Sequence, residues 1–425
     1  MAELVLLNTI GYCGAALLLG LVTYRAATGN TFAHLFSLVW GSCLLAAQFF
    51  TTSTQTLSSK TLIVLFAAWW ALLAGGLLTI RRQPASAPPE TPINKRRALA
   101  LVLILIGLHA ALSLYELPAI IAGQSAAKVV IGLRTTLASR NLDKCPWWLE
   151  IFRNAYFVYL PLALLLRKRG WLSRRAFYIL VVASCLLALT RMTRAPLLAN
   201  ILTLWASWAL FYRPRALRAW GILAVGLLSF SAGFVAIQLA LTSHNTHTAE
   251  GVQLVEGYYG GSMRAFESIV DGTFPREAGY YSADMFNYAL YKLKLIDSYP
   301  SLIRPYGNYA TNIYTFLDAY ALDGGLFGAL FGATLTGVAG GWLFTRASRH
   351  QSPLIAAAYS LFAYCIAMAV ANNEFIRINP LLTTVLAGVV GRIVVRGRAS
   401  RPVADVIPTA RDLGRRQPGA LIART

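Results

Sequence analysis

Two arginines three positions apart stand in the short segment Thr190-Arg191-Met192-Thr193-Arg194-Ala195-Pro196, between two apolar runs. If this turn is helical, Arg191 and Arg194 share a face. Pro196 suits an early helical position, so the helix that follows presents its free N–H groups at the same place. Guanidiniums beside a helix N-terminus form an anion site, most naturally for phosphate; two arginines snorkelling at an interface are the alternative. Arg194 ranks first, followed by Arg191, Arg264 and Arg304, the last two in a long polar segment. That segment, 242–310, holds nine of the chain's twenty tyrosines, Tyr258 and Tyr259 among them. Tyrosine offers a flat face to a sugar ring and a hydroxyl to its OH groups, although a loop of this size also needs some of them for packing. Candidate bases are Asp323, Glu374 and Asp318, in that order. Asp318 and Asp323 belong to the stretch Tyr309–Gly328, YATNIYTFLDAYALDGGLFG, with Asn312 and Tyr314 upstream of them. This reads as an aromatic, half-amphipathic helix ended by Gly324 and Gly325, which allow a tight turn or a close backbone approach. An interfacial helix with a wet polar face is the alternative. Glu374 and Arg377 share a polar turn, where they either pair with each other or present Glu374 to a central cavity.

The elements that must hold these residues are membrane helices. The chain is 57% hydrophobic and 13% charged, with a mean hydropathy of +0.56. Such a composition over 425 residues belongs to an all-α polytopic membrane protein. Hydropathy and charge breaks place about eleven transmembrane helices near 4–24, 32–50, 61–80, 98–116, 151–166, 176–190, 196–212, 219–241, 324–345, 353–371 and 380–395. The expected organisation is one integral membrane domain, 1–425, with a large external loop containing helical segments over 242–323 and a basic tail over 396–425.

Charge then separates the two sides. Arg25, the loops 81–97, 167–175, 213–218 and 346–349, and the tail after Gly391 hold 24 of the 38 basic residues and three of the 17 acidic ones. The rest balance, so the whole net charge of +21 falls on one face. The positive-inside rule makes that face cytoplasmic, with the N-terminus outside and the C-terminus inside. The high pI therefore reports topology and anionic lipid, with no nucleic-acid partner. Cys13, Cys43, Cys185 and Cys365 fall within apolar runs and Cys145 has no loop partner, so no disulfide scaffold is expected. His244 and His247 read as surface residues. No zinc spacing, Walker loop or G-x-G-x-x-G fingerprint occurs, and neither a cofactor nor a metal is expected.

Asn312, Tyr314, Thr315, Phe316, Asp323, Gly325 and Gly328 resemble the N-x-[YF]-T-[AF]…D-x-G-x-x-G signature of Wzy-type O-antigen polymerases. The segment Tyr258-Tyr259-Gly-Gly-Ser262-Met-Arg264-Ala-Phe266 resembles that family's Y-[YF]-x-G-[ST]-x-x-[AS] motif, and Arg194 its [ST]-x-R-type turn. The resemblance implies a GT-C-like glycosyltransferase of the bacterial inner membrane with a large periplasmic loop. It would move a growing glycan from undecaprenyl diphosphate onto a new lipid-linked repeat unit, with a polysaccharide co-polymerase as candidate partner. Related O-antigen ligases carry His-Asn where this chain has Thr311-Asn312, which makes ligation the second reading. A flippase or transporter is the third; it would require symmetric repeats and charges within spans.

Overall fold

The structure, a computed structural model, describes residues 31–49, 57–79, 91–121, 151–189, 194–214, 218–219, 221–223, 225–226, 261–274, 279–298, 315–350, 352–369 and 378–395. Among these residues almost everything is helix and no strand forms, apart from one isolated bridge between Ile93 and Val395. In chain order the helices are α1 Thr31–Phe49, α2 Ser59–Thr79, α3 Lys95–Ile121, α4 Tyr156–Lys168, α5 Arg174–Leu189 and α6 Arg194–Tyr212. They continue with α7 Gly261–Val270, α8 Asp284–Lys292, α9 Leu317–Arg349, α10 Pro353–Met368 and α11 Ile378–Val394. Among the described residues four helices, α2, α3, α6 and α9, are long and apolar enough to cross a membrane. The chain is thus a helical protein with membrane-spanning character. The expected spans 4–24 and most of 219–241 lie outside the described residues, as do the tail 396–425, Cys13, Cys145, His244 and His247.

Boundaries differ from expectation at two helices. Helix α3 continues to Ile121, past the expected end at 116, with Pro118 inside its last turn; α4 begins at Tyr156 rather than 151, after a turn at Asn154 and Ala155. Helix α9, Leu317–Arg349, is two helices merged across a sharp kink at Gly324 and Gly325, so the arm ends and the following span begins where the sequence places the break.

The tightest packing joins α2 to the later part of α9. The two run parallel: Leu72 meets Gly337, Gly76 meets Gly341, and the carbonyl of Thr79 accepts a 3.1 Å hydrogen bond from Thr345 Oγ1. Gly75 and Gly76 on one side face Gly337 and Gly341 on the other. A Cβ at Gly337 would overlap the carbonyl oxygen of Leu72, and one at Gly341 that of Gly76. Lipid tails are as apolar as leucine, so helices in a membrane associate through such backbone proximity and polar contacts rather than by hydrophobic exclusion. The small-xxx-small spacing of Gly337 and Gly341 is its sequence signature.

Hydrogen bonds between helix ends sort the chain into two ends of one bundle. At one end Arg169 donates to the carbonyl of Thr91 (2.7 Å), Asn94 N–H to that of Val394 (2.9 Å) and Arg213 to that of Ser348 (2.5 Å). These are the loops that carry the basic excess. The opposite end gathers the start of α2, the helix α7, the kink in α9 and the end of α10. Among the described residues, segments grouped by charge are therefore also grouped in space.

Candidate functional site

At the less basic end the stretch around Asp318 and Asp323 is a fold-back. Thr315 begins it as a helix cap. Its N–H donates to Asp318 Oδ2 at 3.1 Å, its hydroxyl donates to Asp318 Oδ1, and its oxygen receives the N–H of Leu317 at 3.3 Å. This is the reciprocal arrangement of a capping box. The backbone N–H of Phe316 donates to the carbonyl of Ala369 at the end of α10, 2.8 Å away. The Phe316 ring seats edge-on against Phe36 and Trp40 of α1, at 5.8 and 5.7 Å. One residue thus ties the arm to two helices.

The arm ends at Gly325, whose φ of 58° and ψ of −145° lie in a region open essentially only to glycine. The chain then reverses closely enough that a Cβ at Gly328 would overlap the carbonyl oxygen of Tyr320, and one at Gly332 the Tyr320 ring. Asp323, just before the turn, accepts the N–H groups of Tyr281 (2.8 Å) and Ser282 (2.7 Å) and the Ser282 hydroxyl (2.5 Å). It caps the 3-10 turn Tyr281–Ala283 that leads into α8.

These contacts redefine the two carboxylates. Asp318 is fully buried and spent on the cap of its own helix. Asp323 accepts three donors from one distant segment. Both carboxylates hold the fold-back in shape.

Helix α7 packs against α1, α2 and α9. Two bonds bolt it to the first turn of α2: Glu267 Oε1 accepts the N–H of Ser58 at 2.5 Å, and Lys60 Nζ donates to the carbonyl of Val270 at 2.8 Å. Each charge complements the helix end it meets, an anion at the start of α2 and a cation at the end of α7. Ser262, Met263, Arg264, Ala265 and Phe266 are all buried. Five successive residues buried in one helix means that it is enclosed on every side, and Arg264, only 5% exposed, is carried inside the protein. Of the tyrosines in this region, Tyr281 is buried, whereas Tyr280 and Tyr291 are exposed.

Arg194 is the first residue of α6. Helix α6 packs on α10, and the end of α10 bonds Phe316, so the start of α6 stands one helix away from the fold-back. Arg191, Arg304, Arg377, Tyr258, Tyr259, Asn312, Tyr314 and Glu374 lie outside the described residues.

One set of polar residues escaped the sequence reading. His109, Tyr159, Ser184 and Asn200, one each from α3, α4, α5 and α6, form a continuous buried chain. The links are His109 Nδ1 to Tyr159 Oη (3.1 Å), Tyr159 Oη to Ser184 Oγ (2.6 Å), and Ser184 Oγ to Asn200 Oδ1 (2.6 Å). Asn200 Nδ2 ends the chain by donating to the carbonyl of Pro196 at 2.8 Å. A carbonyl can only accept, which fixes the Asn200 amide. Ser184 spends its one proton on Asn200, so Tyr159 donates to Ser184 and receives a proton from His109 Nδ1. The chain ties the first turn of α6 to three neighbouring helices. Asn200→Leu should remove two of its bonds and leave the Ser184 hydroxyl proton without its acceptor, at a cost of about 2 kcal/mol. Thermal unfolding in detergent should show a lower midpoint than wild type; an unchanged midpoint would mean that the chain adds nothing to stability.

The chain matches no family model, no curated protein and no solved structure. The functional reading therefore rests on its own residues and their geometry.

Proposed function

We propose that this chain is a GT-C-like glycosyltransferase of about eleven spans in the bacterial inner membrane. It would polymerise undecaprenyl-diphosphate-linked repeat units at the periplasmic face. The observation that carries the reading is the fold-back. The described residues that resemble the Wzy-type signature each meet a physical demand: Thr315 caps, Phe316 anchors, Asp323 pins the adjoining segment, Gly325 turns and Gly328 admits the backbone of Tyr320. The buried Arg264 is held on a helix packed against this same element.

In the proposed reaction an acceptor sugar hydroxyl attacks the anomeric carbon of the lipid-linked glycan. The carbon–oxygen bond to the diphosphate breaks, and its electron pair leaves with the undecaprenyl diphosphate. Guanidiniums stabilise that departing charge without a dedicated acid. Arg194, at the start of α6, leads this role, with Arg191, Arg264 and Arg304 as the other candidates. The hydroxyl proton goes to a base. With Asp318 and Asp323 engaged in holding the fold-back, Glu374 becomes the first choice for it. Tyr258, Tyr259, Asn312 and Tyr314 are assigned to sugar contact, and Arg377 to the neighbourhood of Glu374.

The glycan profile of a deletion strain tests this reading. Surface glycan consisting of single-repeat caps is the expected result. Accumulation of free lipid-linked polymer would point to a ligase and reject the polymerase, and absence of all surface glycan would point to a flippase.

A further inference from the structure

The bundle carries a concave site at its basic end, remote from the fold-back. The described part of α2 reaches Thr79, level with Thr345, and α9 runs on by another turn to Arg349. Beside this turn lies an open cavity of about 410 Å³, lined by Leu78, Thr79, Trp342, Thr345, Arg346, Arg349 and His350. None of these described lining residues is acidic. Arg346 and Arg349 are three apart and so neighbours on the helix surface. Arg346 also follows Trp342 by one turn, with its guanidinium 5.6 Å from the centre of the indole ring.

The cavity is two-faced. Leu78 is 80% exposed and Trp342 52% exposed, so the wall toward the middle of the bundle is apolar and open to the surroundings. The opposite wall carries guanidinium and imidazole groups. A ligand that satisfies both must join an anion to a hydrocarbon. Guanidiniums match a phosphate oxygen pair bidentately, and a tryptophan at the border of the apolar zone is the usual companion of a lipid headgroup region. The volume falls within the range of small-ligand sites and is large enough for a phosphodiester with its glycerol. Helix C-termini disfavour anions, so an anion bound here depends on the two arginines.

We infer that this cavity binds the phosphate of an anionic membrane lipid, with the acyl chains lying along Leu78 and Trp342. The site is independent of the proposed glycosyl transfer and would stand if that reading failed.

The test uses the purified full-length protein in neutral detergent, with lipid retention counted by native mass spectrometry. Phosphatidylglycerol, phosphatidylcholine and inorganic phosphate are the probes. Wild type should retain phosphatidylglycerol at concentrations about tenfold below those needed for phosphatidylcholine. Arg346→Gln/Arg349→Gln should abolish that preference. Arg174→Gln/Arg175→Gln, which removes two exposed cations elsewhere at the same end, should keep it. The exposed Arg346 alone, changed to Gln, should weaken the preference about threefold and serves if the double variant does not fold. Equal loss in both double variants would show diffuse attraction to the basic end and overturn the site. Unchanged preference in Arg346→Gln/Arg349→Gln would overturn it too. Displacement of the lipid by inorganic phosphate at equal concentration would reject a lipid as the ligand.

Discussion

Gly337→Leu is expected to leave almost no folded protein. The Cβ alone would overlap the carbonyl oxygen of Leu72, and behind it stand the backbones of two parallel helices, not a side chain free to rotate away. The seam of Gly75, Gly76, Gly337 and Gly341 would have to part along its length, and the 3.1 Å bond from Thr345 to Thr79 would be lost with it. Overpacking a core costs about 1–3 kcal/mol where neighbours can shift; a clash between backbones in a membrane interface belongs at or above the top of that range. The measurement is the yield of monodisperse protein after detergent extraction. Gly107→Ala is the control, since nothing lies within 4 Å of its added Cβ. It should match or slightly exceed wild type, because alanine favours helix by roughly 0.5–1 kcal/mol. A wild-type yield from Gly337→Leu would show that the two helices do not need their close approach.

Arg194 is expected to show the largest effect on activity. A guanidinium gripping two phosphate oxygens cannot be replaced by the point charge of lysine without loss. Arg194→Ala should be nearly inactive and Arg194→Lys far below wild type, both with normal amounts of inserted protein. Losing such a contact to a developing oxyanion costs about 3 kcal/mol, or roughly a hundredfold in rate. The readout is polymer ladder length in a deletion strain, normalised to membrane protein. An arginine that merely snorkels gives the opposite pattern, since lysine snorkels as well. Full-length ladders from Arg194→Lys would therefore remove Arg194 from the site and leave Arg264 and Arg304 as the remaining ligands.

What could be read in advance, and what could not, follows from where each partner lies in the chain. The glycine turn at 324–325 was legible because paired glycines mark a turn, and the angles of Gly325 are open essentially only to glycine. The gathering of the described basic loops at one end was legible because the basic excess is a sum over whole loops, insensitive to the detail of any one. The roles of the aspartates were not. Thr315 and Asp318 form a local T-x-x-D capping box, yet a carboxylate in an apolar chain invites a chemical reading first. Asp323 binds Ser282, 41 residues away, and no local pattern announces such a pairing. The buried chain from His109 to Asn200 was hidden for the same reason. Each helix supplies a single polar residue, separated from the next by 50, 25 and 16 positions. Only packing reveals that they meet.

That chain has a further property. Every hydrogen in it points from His109 toward Asn200, so its bond dipoles add head to tail as a small frozen electret. The positive pole is the Asn200 amide, set against Pro196 in the first turn of α6, where the helix's own dipole is positive as well. A negative charge that forms beside this turn meets both fields already aligned. No group has to reorient at the moment the charge appears, which is the condition under which fixed dipoles stabilise a charge most strongly.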